Sequence, residues 1–365
     1  MKNQLINLMF ALTLTFTIFS CSNDGNNEEI AKYPSIAEVV TADNQFSVLL
    51  KGLNISGLTS TFTTAGSYTV LAPTNTAFNT YTSSNFPTGI TDATLYDLTT
   101  NKPLTTLTTA QKDELKKVLQ YHILSVGTLS NDLLTNEYSK TFAAGATTAV
   151  NGSLSLHANK NGSDVLINGG STNGGAKVTS SDINASNGVM HIIDNVLKLP
   201  TIVSHVKANP KLSTLLAIVT STATGSFGDQ TAVATLLTNA TSNPTATTNP
   251  SLTVFAPLNS AFATATTGSG FLTGAAVTSA NVTKVLQYHV EAGNRLTAVN
   301  GASFSTNGDI DVTTLLTPQK FKLLRNLIKI KELATTTVPA NLVSINIQAT
   351  NGVIHTIDRV LQPVL

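Results

Sequence analysis

The sequence TVLAPTNTAF occupies residues Thr69–Phe78, and a close variant, TVFAPLNSAF, occupies residues Thr253–Phe262. In each copy a β-branched apolar run ends at a proline, which has no backbone N–H to donate, so a strand is predicted to stop there. The next asparagine, Asn75 in the first copy, suits the N-cap of a short helix. The stretch therefore predicts a strand that leads directly into a helix, and its recurrence predicts two copies of one domain.

Two further blocks recur in the same order. KVLQYH is identical at Lys117–His122 and Lys284–His289, and NGVMHIIDNVL at Asn187–Leu197 is matched by NGVIHTIDRVL at Asn351–Leu361. The copies are offset by 184 residues at the first block, 167 at the second and 164 at the third, so their loops differ in length. We expect the first domain over residues 34–200 and the second over residues 201–365, with almost no linker between them.

Each copy mixes helices with short strands. Ser35 and Glu38 have the capping-box spacing, which predicts a helix start. Apolar residues at helical spacing predict an amphipathic helix over residues Asp113–Ile123. Short runs rich in branched residues, punctuated by Asn-Gly and Gly-Gly, predict strands. Because these elements do not alternate as regular βαβ units, the pattern favours an α+β fold.

Together the three blocks resemble the signatures of the fasciclin-domain family. The resemblance covers nearly all of residues 34–365 and implies two tandem fasciclin-like domains, each a β-sheet wedge with packed short helices. It also implies an extracellular, non-enzymatic role in cell adhesion or matrix contact. Asp182 extends the match in the first copy, whereas Asn346 replaces the acidic residue in the second copy, which departs from the family pattern there.

The resemblance also implies a candidate adhesion motif. In animal members the Tyr-His region has been linked to integrin binding, and it maps here onto Tyr121, His122, Tyr288 and His289. The residues alone favour another role for the two histidines, because they lie on helix faces beside Val and Leu. That position is typical of a buried histidine whose polar atoms are hydrogen-bonded.

Strand histidines receive the same interpretation. His191 and His355 stand in alternating strand patterns, so a packed histidine bonded to a backbone group is expected rather than a catalytic base. His157 and His205 have no counterpart in the other copy.

No catalytic, metal or cofactor site is predicted. The sequence contains neither a Gly-x-Ser-x-Gly elbow nor a glycine-rich phosphate loop ahead of a helix. Each copy offers one helix histidine, one strand histidine and at best one carboxylate, Asp194 or Asp358, whereas a metal site needs about three or four ligands. We therefore expect no enzyme activity, no catalytic residue, no bound metal and no cofactor.

The charge balance excludes one class of partner. Lys and Arg number 21 against 20 Asp and Glu, which gives a net charge of +1, and charged residues make up only 11% of the chain. A protein that holds a phosphate backbone by counterion release needs a cationic surface. We expect no nucleic-acid partner.

The N-terminus reads as a secretory signal peptide over residues 1–20, with Lys2 supplying the positive charge. Its apolar stretch, Leu5–Phe19, is shorter than the roughly 20 residues that span a bilayer. The sole cysteine, Cys21, follows Ser20 as in the lipobox of bacterial lipoproteins, so Cys21 is the predicted lipidation site. The alternative is a free thiol inside an ordinary signal peptide.

Residues 21–33 are polar and acidic and predict a lipidated, flexible tether. They resemble the signal that sends some Bacteroidetes lipoproteins to the cell surface. We expect attachment to the outer membrane through lipid at Cys21, with the domains exposed at the cell surface. A periplasm-facing orientation is the alternative.

These observations predict a surface-anchored lipoprotein that mediates adhesion through an unknown cell-surface protein or glycan. The alternative is an accessory glycan-binding lipoprotein in polysaccharide uptake. The chain contains no Trp, which disfavours this alternative, because sugar-binding platforms often use aromatic faces.

A basic and apolar run covers Phe321–Lys331. Its alternation over Ile328–Lys331 predicts a half-buried strand at a solvated sheet edge, where Lys protects against aggregation. A membrane-facing or partner-binding edge is the alternative.

Overall fold

A computed structural model describes residues 33–145, 152–222, 227–241, 250–265, 277–296, 309–324, 328–332 and 338–365. Residues 33–365 form one compact unit. The predicted signal peptide, the lipidation site Cys21 and nearly all of the tether lie outside the described residues.

The first half of the chain, to residue 200, places short helices beside a sheet. Its helices are α1 (Ile36–Ala42), α2 (Ser47–Ser56), α3 (Thr59–Thr63), α4 (Asn75–Thr80), α5 (Asp92–Leu95), α6 (Thr109–Tyr121) and α7 (Ser130–Asn136). Its strands are β1 (Tyr68–Pro73), β2 (Tyr96–Asp97), β3 (Lys102–Pro103), β4 (Ile123–Leu124), β5 (Tyr138–Ala144), β6 (Ser153–Asn161), β7 (Asp164–Ile167), β8 (Ala176–Ala185) and β9 (Gly188–Ile193).

The strands of the first half close into a barrel in the order β1-β4-β5-β6-β7-β8-β9. The barrel closes at β1, which pairs antiparallel with β4 and parallel with β9, so that Val70 lies opposite both Ile123 and Met190. Strands β2 and β3 form a separate two-stranded sheet. The resemblance implied a β-sheet wedge in this half, and the structure shows that the sheet closes into a barrel, which the sequence pattern did not indicate.

The second half repeats the arrangement with elements that differ in length from those of the first half. Its helices are α8 (Ile202–Ala208), α9 (Ser213–Val219), α10 (Thr231–Asn239), α11 (Asn259–Ala265) and α12 (Ser279–Tyr288). Its strands are β10 (Leu252–Pro257), β11 (Val290–Ala292), β12 (Ile310–Thr313), β13 (Lys320–Leu324), β14 (Lys329–Glu332), β15 (Ala340–Asn341), β16 (Ile347–Ala349) and β17 (Gly352–Ile357).

These strands form two sheets, in the orders β11-β10-β17-β16 and β12-β13-β14-β15. As in the first half, the strand of the first block pairs parallel with the strand of the last block, here β10 with β17. Single bridges between Glu291 and Thr314 and between Leu342 and Ile357 connect the two sheets. The mixed α+β fold predicted from the sequence is confirmed.

Helix starts follow the side chains that cap them. The predicted capping box of Ser35 and Glu38 is present at the start of α1. Helix α6 begins four residues before the predicted start, because Thr108 and Gln111 form a second capping box there. The sequence pattern located this helix by its apolar face, and the cap sets where it begins.

The run Phe321–Lys331 contributes to β13 and β14. The alternation is confirmed within β14, where Ile330 is buried and Lys331 is exposed, but Ile328 precedes the strand and is 50% exposed. The predicted edge position is wrong, because β14 pairs with β13 on one side and with β15 on the other. The short β15 occupies the edge, which a pattern within the run could not indicate.

The two halves touch where β6 meets β16. The backbone N–H of Gln348 donates to Ser155 Oγ over 2.9 Å, and Asn173 Nδ2 donates to the Ser204 carbonyl over 2.8 Å. Thr350 N–H donates to the Pro200 carbonyl over 2.8 Å. Polar contacts at β6 and β16, and a second one between Asn173 and α8, therefore tie the domains together, in addition to the covalent connection at residue 200.

One core position differs in size between the halves. Asn187 Nδ2 donates to the Phe62 carbonyl and Asn351 Nδ2 donates to the Leu237 carbonyl, so Leu237 stands where the first half has Phe62. A cavity of about 50 Å³ lies in the second half, lined by Leu237 among mainly apolar side chains. Leu237, with a smaller side chain than Phe62, therefore borders space that is empty in the second half.

We predict that Leu237→Phe raises the free energy of unfolding by about 1 kcal/mol, because the added carbons bury apolar surface in space that is already empty. The matched change Phe62→Leu should lower it by about 1–2 kcal/mol. Urea denaturation followed by circular dichroism measures both. Destabilisation by Leu237→Phe would show that the cavity cannot accept a ring.

Candidate functional site

The tyrosines of the candidate adhesion motif end their helices inside the domains. Tyr121 is fully buried at the end of α6, and its hydroxyl donates to the Ser155 carbonyl over 2.9 Å and accepts from Asn168 Nδ2 over 2.8 Å. Tyr288 ends α12 and its hydroxyl donates to the Lys320 carbonyl over 2.9 Å. Each tyrosine thus fixes the last turn of a helix to a strand.

The neighbouring histidines make the same pair of bonds in both copies. His122 Nδ1–H donates to the Val118 carbonyl over 2.7 Å, and Nε2 accepts from Leu197 N–H over 3.0 Å. Since Nε2 accepts, Nδ1 carries the proton of a neutral ring. His289 repeats this geometry with Val285 at 2.7 Å and Leu361 at 2.8 Å. These contacts confirm the prediction of buried, hydrogen-bonded helix histidines.

Burial excludes these four side chains from the outer surface. Tyr121, His122, Tyr288 and His289 are between 0% and 4% exposed. Burial also lowers the pKa of His122 and of His289 to about 4, because a charged ring would lose its hydration. A partner that docks on the folded protein does not reach them, and at neutral pH they are uncharged members of the core.

The strand histidines bond with the opposite tautomer. His191 Nε2–H donates to the Thr128 carbonyl over 2.9 Å, and Nδ1 accepts from Asp182 N–H over 3.1 Å. His355 makes the corresponding bonds to Arg295 at 2.9 Å and Asn346 at 3.2 Å. The prediction of packed strand histidines bonded to backbone groups is confirmed.

The acidic residue that differs between the copies caps a helix in the first copy. Asp182 accepts from Ser130 N–H over 2.8 Å at Oδ1 and from Ser130 Oγ over 2.7 Å at Oδ2, at the start of α7. Asp182 and Asn346 both have positive φ, 61° and 58°. The second copy therefore keeps the backbone bend and the bond to the strand histidine while it replaces the carboxylate.

Asn75 serves a different purpose from the one predicted. Thr74 is the N-cap of α4, so the prediction of Asn75 as N-cap was wrong. Asn75 Oδ1 accepts from Val48 N–H over 3.0 Å, and Nδ2 donates to the Asn44 carbonyl and to Ser47 Oγ. The side chain thus joins α4 to the start of α2.

Two other asparagines that recur in both copies, Asn187 and Asn351, hold helix starts in place, a role that the sequence did not indicate. Asn187 Oδ1 accepts from Ile36 N–H over 2.9 Å, and Asn351 Oδ1 accepts from Ile202 N–H over 2.9 Å. Each one satisfies a free N–H at the first turn of the helix that begins its domain. Recurrence of the asparagine in both copies was the available signal.

Lys140 and Ser155 have the spacing of a base and a nucleophile, with Lys140 Nζ 3.0 Å from Ser155 Oγ. Ser155 is only 1% exposed, and its Oγ also accepts from Gln348 N–H. Because a substrate has no access to a hydroxyl enclosed between the two halves, this pair acts as a structural tie.

Two properties of the described residues bear on ligands and membranes. They contain no group of three or more His, Cys, Asp and Glu arranged to hold a metal ion. Over the same residues, no helix has the length and apolar character needed to cross a bilayer.

Comparison with known proteins matches both halves to one family. The model of the fasciclin domain matches residues 44–200 and 228–363. Protein sll1483 of Synechocystis sp. is 30% identical over 166 residues, which cover 46% of this chain and 74% of that protein. The uncharacterized protein sll1735 of the same organism is 29% identical over 168 residues, 45% of this chain and 97% of that protein.

A solved FAS1 domain pair from the insect cell adhesion molecule fasciclin I is also similar. It has 19% sequence identity and a TM-score of 0.44, over 90% of this chain and 96% of that chain.

We predict that His122→Leu lowers the free energy of unfolding at pH 7 by about 1–3 kcal/mol, because Leu197 N–H is left buried without an acceptor. The deficit should shrink on acidification. Burial holds the pKa of His122 at about 4, below its ordinary 6.5, so the wild-type contribution is complete above pH 6.5 and is lost as pH falls towards 4.

Urea denaturation of both proteins at pH 7 and pH 4.5 measures the difference. His289→Leu is the matched variant in the second copy, and Val126→Ala, at a side chain 63% exposed, is the control. A deficit that stays constant between the two pH values would contradict a neutral, buried His122.

Proposed function

Because the chain belongs to the fasciclin domain family, we propose that it is a surface-anchored lipoprotein that mediates adhesion to cells, matrix or another surface. The observation that carries the proposal is the match of the fasciclin domain to both halves of the chain. Fasciclin domains are found in adhesion-type proteins, and a non-catalytic, adhesion-like role is the one that this family supports.

The hydrogen bonds of the polar residues that recur in both copies support a role without catalysis. The duplicated Tyr, His and Asn side chains bond to backbone groups of their own domain, as shown by Tyr121, His122, His191 and Asn187. Side chains that are buried and bonded in this way hold the helices and strands of their own domain together. Contact with a partner therefore falls to the outer surface of the domains.

Anchoring is proposed through Cys21. The cysteine follows an apolar stretch that is too short to span a bilayer, and the polar tether after it separates the first helix, which begins at Ile36, from the lipid. Several acyl chains on one cysteine exceed the two signals that stable membrane attachment requires. The proposed location is the outer membrane, with the domains facing outward.

We predict that deletion of the protein, and equally Cys21→Ala, reduces attachment of the cells to one another or to abiotic and host-derived surfaces. The cysteine variant folds in the same way but lacks a lipid acceptor. Ser22→Ala is the matched control, because it changes the adjacent residue and leaves Cys21 in place. Cells that carry it should attach as the parent strain does. Counts of attached cells, together with protease treatment of intact cells, give the readout.

Equal attachment of all four strains would refute the adhesion function for those surfaces. Loss of growth on one polysaccharide with attachment intact would instead indicate glycan uptake. Protection of the protein from added protease on intact cells would contradict surface exposure while leaving the lipid anchor in place.

A further inference from the structure

The contact between the two domains contains a cluster of polar side chains, here called the joint, most of which are buried or half-buried, with Lys211 exposed at its margin. The joint consists of Glu137, Tyr138, Lys140, Ser155 and His157 from the first half and His205, Asn209, Lys211, Asn346 and Gln348 from the second. Its members lie far apart in sequence, so the joint exists only when the two halves are docked.

Both histidines that have no counterpart in the other copy are found here. His157 lies on β6 and His205 on α8, and each is 1% exposed. The ring of Tyr138 lies between them in edge contact with both, at centroid distances of 4.9 Å from His157 and 5.9 Å from His205. The two histidines therefore approach one aromatic ring from opposite domains.

Each of these rings has a nitrogen without a partner. His205 Nε2–H donates to the Gln348 carbonyl over 3.3 Å, which leaves Nδ1 as the unprotonated nitrogen, and Nδ1 is buried with no hydrogen-bond partner. His157 Nδ1 is likewise buried without a partner, and its Nε2 is 3.9 Å from Glu137 Oε1. A proton added to either Nδ1 would meet no acceptor.

The charges around the rings also oppose protonation of His205. Lys140 places its ammonium group between Ser155 Oγ and the Asn346 carbonyl, and its charge acts on His205, as does the charge that His157 would carry. Burial is the larger cause, and it lowers the pKa of His205 to about 3.

At His157 the neighbouring charges oppose one another. Glu137 favours a charged ring and Lys211 disfavours it, while burial, the dominant cause, lowers the pKa of His157 to about 4. The Glu137 carboxylate is already shared, since it accepts from Asn209 Nδ2 over 2.9 Å and from Lys211 Nζ over 3.1 Å. Its Oε1 lies 3.9 Å from His157 Nε2, beyond hydrogen-bond distance, so the carboxylate offsets only part of the cost of burying a charged ring.

We propose that the joint is an acid-sensitive contact: protonation of His157 and His205 separates the two domains while each domain stays folded. The rings are neutral in the docked state and regain water, and with it their ordinary affinity for protons, when the domains part. Docking is therefore complete above about pH 6.5 and weakens as pH falls towards 4.

The distribution of apolar packing explains why separation precedes unfolding. The buried members of each apolar cluster come from one half of the chain only. Tyr138 is partly buried against the cluster of the second half, but the other contacts of the joint are polar. Opening the joint exposes few apolar side chains, whereas unfolding a domain exposes its core.

Hydrogen exchange of the purified full-length protein tests the proposal, with protection factors compared at pH 7, 6 and 5. The Gln348 amide, which donates to Ser155 Oγ, reports on the joint, and the amides of β1 and β9 report on the interior of the first domain. We expect protection at Gln348 to fall about 20-fold per histidine between pH 7 and pH 5 and to be lost first. Protection in β1 and β9 also declines in acid, because His122 and His191 are buried in that domain, but it should stay well above that of Gln348.

The double variant His157→Leu/His205→Leu removes both titrating groups and should keep the Gln348 amide protected at pH 5. If circular dichroism shows that this variant does not fold, His157→Gln/His205→Gln serves the same purpose. Glu137→Gln is the matched control: it removes the carboxylate of the contact but keeps both histidines, so loss of protection in acid should persist.

Three results in the wild-type protein and the histidine variant would overturn the proposal. These are full protection of the Gln348 amide at pH 5, loss of protection in β1 and β9 at the same pH as in the joint, and a histidine double variant that opens at the wild-type pH. A Glu137→Gln variant that no longer opens would assign the effect to the carboxylate and would equally refute the role of the histidines.

Discussion

The parallel pairing between the first and last strands of each repeat is the constraint on which the rest of the structure depends. Strand β1 lies beside β9, and β10 beside β17. Gly188 has a φ of 151°, and a Cβ there would lie 2.1 Å from the Tyr68 carbonyl oxygen; Gly352, with φ 153°, would place one 2.0 Å from that of Leu252. A larger residue at either position would force the paired strands apart, which explains the Asn-Gly step in both copies.

The recurrent polar residues attach the helices to this strand pair. His122 joins the end of α6 to Leu197, beyond β9, and Asn187 joins the turn before β9 to the start of α1. Each such side chain satisfies backbone groups that would otherwise be buried without partners. The three repeated sequence blocks are thus the two paired strands and the helix that is bonded to them.

Residues that act within one repeat could be predicted from the sequence, and residues that act between elements could not. The apolar neighbours of His122 and His289 on their helix faces identified these two residues as buried histidines. The sequence pattern could not show that Asn75 bonds to α2 rather than to its own helix, since both roles suit an asparagine. The edge position of β14 also depended on a neighbour, β15, that lies outside the run.

The residues of the joint could not be predicted from the sequence for a related reason. Its two histidines have no counterpart in the other copy, and Ser155 and Gln348 are separated by 193 residues. A search that takes recurrence as its signal passes over such residues, and His157 and His205 had no other distinguishing pattern. Asymmetry between the copies is nevertheless informative, because two repeats that pack against each other through different faces must place different residues at the contact.

The two classes of histidine have opposite effects on the stability of the state in which they are buried. In His122 both ring nitrogens are bonded to backbone groups, one as donor and one as acceptor, so the neutral ring is a fixed part of the domain. In His157 and His205 one nitrogen is left without a partner. A neutral ring with both nitrogens bonded stabilises the state that contains it, whereas a buried nitrogen without a partner lowers the stability of that state. The histidines with both nitrogens hydrogen-bonded therefore lie inside the domain cores. Those with an unbonded nitrogen lie at the joint, where the two domains can separate without unfolding.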